Sequence, residues 1–342
     1  MALPLLGITM GDPAGVGPEV IVKALTHPGL YRRLRPLVLG DPAILSRTIK
    51  KLKSPLELQP LSAPQIKALP RLSSPPGKIP LLALSKLNPG KVSPGRPGRS
   101  SGEVVVKYLK EAVVLARKGK IAALVTAPIS KEAMNRAGYR YPGHTELLAE
   151  LTNTSSYAMM LAGSSLKVVL ATIHCPIKEV PRRLSRKGIV RTIELAAGAL
   201  RVYFGIARPR IGVAALNPHA GEAGIMGTEE LKVIGPAVRR ARQKGIEASG
   251  PLPADSLFYF ALKGHYDAVV CMYHDQGLIP LKMLHFTDAV NVTLGLPIIR
   301  TSVDHGTAYG IAGKGIADPA SMIAALKLAA KMAATRQETS GK

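Results

Sequence analysis

His174 follows the stretch 168–173, His219 the stretch 213–218 and His274 the stretch 269–273. Each imidazole therefore stands just past an apolar run of the kind that reads as a strand buried on both faces. In an open α/β sheet, ligands bind beyond the carboxyl ends of parallel strands. Three imidazoles there could hold a divalent metal with coordination positions open to substrate or water, which is catalytic rather than structural ligation. The competing reading makes each one a strand-end residue hydrogen-bonded to backbone. Cys271 and His274 have a Cys-x-x-His spacing that zinc accepts, but Cys271 falls inside a strand and reads as core. Cys175 is set aside with it.

Two further groups of residues suit anions. The stretch from His305 to Pro319 carries Gly306, Thr307, Gly310, Gly313, Lys314 and Gly315 and runs into a helix at Asp318-Pro319. Bare N–H groups in such a loop approach a phosphate closely, and Lys314 adds charge; the alternative is an ordinary loop ending in an Asp cap. Gly143-His144-Thr145-Glu146, Lys282, Asn291 and Arg300 form the second group. Arg and Lys at strand ends clamp phosphate or carboxylate, although each alone could equally be a solvated charge. Asp255 opens a helix and could simply cap it. Neither standard nucleotide fingerprint is met. Gly15-Val16-Gly17-Pro18-Glu19-Val20 has Val20 at the third glycine, and a P-loop ending on Lys314 would need glycine where Ala308 stands.

The elements that must position these residues alternate. Strands are expected at 5–9, 36–39, 122–126, 168–173, 211–216, 268–273 and 289–292. Helices are expected from Pro18 to about Leu25 and near 103–118, 187–203, 228–244, 255–263 and 319–334. This is an α/β chain with a mainly parallel sheet covered by helices. At 342 residues, two domains are expected. The break after the strand at 122–126, at Ala127-Pro128-Ile129-Ser130-Lys131, suggests a domain boundary there. Residues 51–101, rich in proline, lysine and serine, read as a long surface excursion with a few short strands.

Lys and Arg number 46 against 22 Asp and Glu, a net charge of +24. That excess suits nucleic acid, an acidic membrane or small anions. Aromatic residues are only 4% with no Trp, and the basic residues are dispersed, so stacking platforms for nucleic acid are lacking. No apolar run reaches membrane-spanning length. The opening residues lack the regions of a signal peptide, and two cysteines build no disulfide framework. A cytoplasmic protein without nucleic-acid or membrane partners is expected.

Gly11-Asp12-Pro13-Ala14-Gly15-Val16-Gly17-Pro18-Glu19 resembles the amino-terminal signature of the 4-hydroxythreonine-4-phosphate dehydrogenase family of pyridoxal phosphate biosynthesis. So do Val125-Thr126-Ala127-Pro128-Ile129-Ser130-Lys131, Gly143-His144-Thr145-Glu146, Asn217-Pro218-His219-Ala220-Gly221-Glu222 and Tyr273-His274-Asp275-Gln276-Gly277. The loop from His305 resembles the NAD(P)-binding loop of the wider isocitrate and isopropylmalate dehydrogenase superfamily. The resemblance implies two α/β/α domains, 1–128 with 296–342 on the cofactor side and 129–295 for metal, substrate and dimerisation, with an active site in the interdomain cleft and a homodimer. It makes His174, His219 and His274 ligands of a zinc, magnesium or cobalt ion, one of them contributed across the dimer. His144, Thr145, Lys282, Asn291 and Arg300 become substrate contacts, and Asp12, Gly306, Thr307, Gly313 and Lys314 cofactor contacts. It further implies oxidation of 4-phosphooxy-L-threonine at C3 by NAD or NADP, then decarboxylation to 3-amino-2-oxopropyl phosphate. Lys282, Asp255 or a metal-bound water would accept the proton. Relatives in the family act on phosphorylated four-carbon sugar acids, 4-phosphothreonate or 4-phosphoerythronate, and these stand as the alternative substrates.

Overall fold

A computed structural model describes residues 3–340, which divide into two compact units. The first comprises residues up to Ser155 together with Leu296–Ala334; the second comprises Ser156–Gly295 with the tail from Thr335.

The first unit is built on six parallel strands: β1 (Leu5–Thr9), β2 (Arg35–Gly40), β3 (Glu57–Pro60), β4 (Lys78–Ala83), β5 (Ala123–Thr126) and β12 (Arg300–Val303). Their spatial order is β3-β4-β2-β1-β5-β12. β1, β5 and β12 are buried at every position, as strands covered on both faces must be. The covering helices are α1 (Gly17–Leu25), α2 (Pro42–Lys51), α3 (Ala63–Lys67), α4 (Arg99–Arg117), α5 (Lys131–Arg136), α6 (His144–Leu151) and α12 (Ala320–Ser340). Proline at the start of α1 and α2 costs no hydrogen bond there, and Asp41 caps α2 by accepting from the N–H groups of Ala43 and Ile44.

Residues 51–101 hold the few short strands expected of them, but they are not confined to the surface. They supply β3 and β4, and residues 79–82 of β4 are buried in the sheet. Pro80 lies within β4 and pairs in register with Gln59 of β3. The break between units falls at residue 155 rather than 128, because α5 packs along α4. Gly102 of α4 comes so close to the Ala133 carbonyl that an added Cβ would lie 2.1 Å from it.

The second unit has strands β6 (Ala158–Ala162), β7 (Lys167–Leu170), β8 (Arg210–Ala214), β9 (Glu247–Leu252), β10 (Ala268–Cys271) and β11 (Val290–Leu294), in the order β11-β6-β7-β10-β8-β9. β7, β10, β8 and β9 run parallel, while β6 pairs antiparallel with both β7 and β11. Its helices are α7 (Val180–Arg183), α8 (Arg186–Phe204), α9 (Gly235–Gln243), α10 (Ala254–Leu262) and α11 (His274–Leu284). Alternation along the strands sorts the two faces. Val168, Leu170, Val269 and Cys271 pack with Leu257 and Ala261 of α10 and Leu278 and Leu281 of α11, leaving the intervening residues to the opposite side. Among the described residues no helix is long and apolar enough to cross a membrane.

Candidate functional site

In the first unit the amino-terminal turn and the glycine loop fold onto each other. The Val16 N–H donates to the Thr307 carbonyl at 3.0 Å, and an added Cβ at Gly15 would press on Thr307 at 3.1 Å. Glu19, nearly buried, accepts from the N–H groups of Gly315 (3.2 Å) and Ala317 (2.7 Å). Lys23 pairs with Glu19 at 3.3 Å and donates to the carbonyls of Gly315 and Ala317. One acid and one base thus serve both polar sides of the loop. Gly313 adopts φ +71 with Pro94 pressed where a Cβ would stand, a position that only glycine fits without strain. Beside these residues lies a cavity of about 270 Å³ lined by Gly15, Pro18, Gly313, Gly315, Arg47 and Lys51 among others.

The expected cofactor residues Asp12, Gly306, Thr307, Gly313 and Lys314 are all in this unit, in different roles. Lys314 is exposed. Asp12 is fully buried; it accepts from the Ala14 N–H at 2.8 Å and from the Tyr309 hydroxyl at 2.6 Å, so it fixes the loop. Burial pushes its carboxyl above the ordinary value, partly offset by those bonds. The helix expected at 319 begins at Ala320, whose N–H is taken by Asp318 Oδ1 at 2.8 Å.

The first unit also gathers His144, Thr145 and Arg300. Arg300 opens β12 at 2% exposure and donates from Nη2 (2.7 Å) and Nε (3.2 Å) to Thr126 Oγ1 at the end of β5. Burial lowers its guanidinium pKa to about 9, against a raising influence from Glu146. His144 is the first residue of α6; its Nε2 is sealed from solvent without a hydrogen-bond partner. Burial, and then the charge of Arg300, hold its pKa well below the usual 6.5, so the ring is neutral. Gly143 precedes α6 and supplies no side-chain cap, leaving N–H groups at that terminus to be satisfied from outside. A buried cation, an uncapped helix start and an orphaned imidazole nitrogen together suit an oxyanion.

The other expected residues belong to the second unit. His174 lies beyond β7 and His274 is the first residue of α11, after β10; their ring centroids are 5.5 Å apart. Both line an open cavity of about 440 Å³ with Tyr273 and Asp275. His274 Nδ1 lies 2.6 Å from Asp275 Oδ1, and an Nδ1–H donated to that carboxylate leaves Nε2 as a donor atom for a metal. His219 is exposed on a turn in which residues 219–223 all have positive φ. For the four that are not glycine this costs on the order of 1 kcal/mol each. Glu230, buried at 3% exposure, secures the turn by accepting from the N–H groups of Leu216 and Asn217, each at 2.8 Å. Burial would raise the Glu230 pKa, but these and the Asn217 side-chain bond outweigh it and lower it. Among the described residues no three His, Cys, Asp or Glu side chains are gathered as a ready metal cluster. The donor set fits a divalent ion at His174 and His274, with the third ligand still to be brought in.

Lys282 is part-buried on α11, 5.8 Å from the Phe286 ring centroid. Asn291 is part-buried on β11. Asp255 is exposed as the second residue of α10; Pro253 holds the cap position, so Asp255 caps nothing. Sequence reasoning missed Thr126, Glu19, Glu230 and Tyr309. Only the run of matched residues around Thr126 and Glu19 signalled them.

Comparisons with known proteins give the family. A family model for the pyridoxal phosphate biosynthetic protein PdxA matches residues 32–329. A protein of Desulforapulum autotrophicum named 4-hydroxythreonine-4-phosphate dehydrogenase is 51% identical over 330 residues, 96% of each chain. One from Cupriavidus necator named D-threonate 4-phosphate dehydrogenase is 46% identical over 336 residues, 98% of each chain. A crystal structure of 4-hydroxythreonine-4-phosphate dehydrogenase from Klebsiella pneumoniae superposes with a TM-score of 0.89 at 43% identity, covering 97% of this chain and 98% of that one. Matched over nearly its whole length, the chain belongs to the PdxA family of pyridoxal phosphate biosynthetic proteins.

Proposed function

We propose that this protein oxidises 4-phosphooxy-L-threonine at C3 with NAD or NADP and decarboxylates the product to 3-amino-2-oxopropyl phosphate. The observation that carries the reading is the orphaned, neutral His144 beside buried Arg300 at an uncapped helix start. Such a pocket is completed by a phosphate ester, whose oxygens accept from Arg300, His144 and the helix N–H groups. The turn–loop clasp between residues 12–19 and 307–317 supplies the dinucleotide subsite, with its glycines admitting phosphate to bare backbone.

In this scheme His144, Thr145 and Arg300 anchor the phosphate, and Lys282 and Asn291 orient the rest of the substrate. Fixing the substrate this way makes hydride transfer effectively intramolecular. Lys282 or Asp255 takes the C3 hydroxyl proton as hydride leaves C3 for the nicotinamide. The resulting C3 ketone is β to the carboxylate, so loss of CO2 places its electron pair in an enolate, which a cationic side chain such as Lys282 stabilises until a proton delivered to C2 gives 3-amino-2-oxopropyl phosphate. His174, His274 and His219 would hold a zinc, magnesium or cobalt ion, one of the three from a second copy, supplying Lewis acidity toward the substrate oxygen.

The second copy is proposed to dock on the second unit. Tyr259 and Phe260 of α10 and Ile279 and Met283 of α11 are exposed at 43–82%, while the same helices bury Leu257, Ala261, Leu278 and Leu281 against the sheet. An apolar outer face of this kind marks an interface.

A second reading, oxidation of D-threonate 4-phosphate, is favoured by the name of the Cupriavidus relative. The deciding experiment compares NAD(P) reduction with 4-phosphothreonine, 4-phosphothreonate and 4-phosphoerythronate. The proposal expects the highest kcat/KM for 4-phosphothreonine; preference for either sugar acid replaces it with the second reading.

A further inference from the structure

The second unit contains a second anion-selective feature, on the side of its sheet away from α10 and α11. α8 and α9 form the walls of an open groove of about 720 Å³. Arg186, Lys187 and Arg191 of α8 and Arg239, Arg240 and Lys244 at and after α9 line it, with Glu194 as the one acid among its lining residues. The spacings explain the convergence: lining positions recur at intervals of three and four along each helix, so each contributes one face. Arg186 Nε donates to the Lys232 carbonyl at 2.7 Å, and Lys244 pairs with Glu194. The two helices therefore run in the same direction, with their amino-terminal ends together.

This arrangement is electrostatically unfavourable by itself. Lys187 with Arg191, and Arg240 with Lys244, are like charges four residues apart, which oppose each other on a helix surface. Arg186 and Lys187 also occupy the first turn of α8, where no acidic residue stands and cations oppose the helix dipole. Glu194 is spent on Lys244, whereas the side chains of Lys187, Arg191 and Arg239 make no hydrogen bond or ion pair among the described residues. Multiple negative charges in the groove would reverse each of these penalties. A nucleic acid strand is disfavoured because no aromatic side chain lines the groove for base stacking.

We propose that the α8–α9 groove binds a compact oligophosphate, an anion with two or more linked phosphoryl groups, at a site separate from the substrate and cofactor residues. Inorganic tripolyphosphate is the probe, titrated calorimetrically into the full-length protein at about 150 mM salt, where diffuse surface charge is screened. Saturable binding is expected. The triple variant Lys187→Gln, Arg191→Gln, Arg239→Gln should weaken it by about tenfold or more, since charge-assisted contacts are lost. The control Arg32→Gln, Arg33→Gln, Lys67→Gln removes equal charge from exposed positions elsewhere and should change affinity by less than about twofold. Thermal unfolding at the parent's temperature or above, with unaltered dehydrogenase activity, in the groove variant shows that the fold is intact. The proposal is overturned by absence of saturable binding, by equal loss in both triples, or by affinity fully retained in the groove variant, which would place the probe at the substrate site. Tighter binding of a single-stranded oligonucleotide, lost in the groove variant, would overturn the ligand class.

Discussion

Tyr309 Oη donates a 2.6 Å hydrogen bond to Asp12 Oδ2, joining the glycine loop to the amino-terminal turn across 297 positions of sequence. Asp12 is fully buried and Tyr309 half-buried, and burial raises the pKa of each. The bond ties a loop of small residues to the amino-terminal turn, so in the proposed function dinucleotide affinity would depend on two residues that need not touch the dinucleotide.

Tyr309→Phe removes the donor and leaves a buried carboxylate short of a partner. Stability should fall by about 1–3 kcal/mol, and the NAD(P) KM should rise by about tenfold with a smaller change in kcat. Urea unfolding and steady-state kinetics check the two effects. An unchanged KM would show that the loop keeps its shape without the Tyr309–Asp12 bond.

His144 makes stability depend on pH with a definite sign. Its folded pKa lies below 6.5, so as pH falls through 6.5 the unfolded chain takes up a proton that the folded chain refuses. Stability from this group is present above pH 6.5 and lost below it, by at most about 1.4 kcal/mol per pH unit. His144→Gln should flatten the fall between pH 6.5 and about 5 relative to the parent in urea unfolding. The same variant should raise the substrate KM, because the amide replaces the orphaned ring nitrogen imperfectly.

His219 separates activity from folding. It is exposed at φ 52, a conformation asparagine tolerates, so His219→Asn should shift the thermal midpoint by less than about 2 °C. Activity should fall by on the order of a hundredfold or more, with added metal required at higher concentration, as expected when one ligand is lost. Activity near that of the parent would remove His219 from the ligand set.

The strand ends that carry His174 and His274 were legible because parallel strands buried on both faces leave continuous apolar runs. The glycine loop was legible from composition. The partners were not. Tyr309 to Asp12 and Ala317 to Glu19 span nearly the whole chain, and no local periodicity encodes such a contact. The short strands within 51–101 were legible but the burial of β4 was not: a proline-rich composition reads as surface, whereas Pro80 occupies β4, where it pairs with β3 near the sheet edge. Asp255 suggested a cap by type and position, but Pro253 holds the cap position and leaves its carboxylate free for chemistry.

The apolar outer face of α10 and α11 should hold two copies together. Ile279→Glu with Met283→Glu places charges on positions exposed at 59% and 82% in the single chain, where they cost nothing to the monomer and oppose an apolar interface. Sedimentation should show the parent as a dimer and the variant as a monomer with the same secondary structure. A variant that remains dimeric would move the interface elsewhere.

The central claim is that oxidation at C3 and loss of CO2 occur on one substrate. Incubation with 4-phosphothreonine, a divalent metal and NAD or NADP, measuring reduced cofactor and released CO2 together, tests it directly. The account predicts equal amounts of the two, accompanied by 3-amino-2-oxopropyl phosphate. Reduced cofactor without CO2, or no substrate-dependent reduction with zinc, magnesium or cobalt, would contradict it.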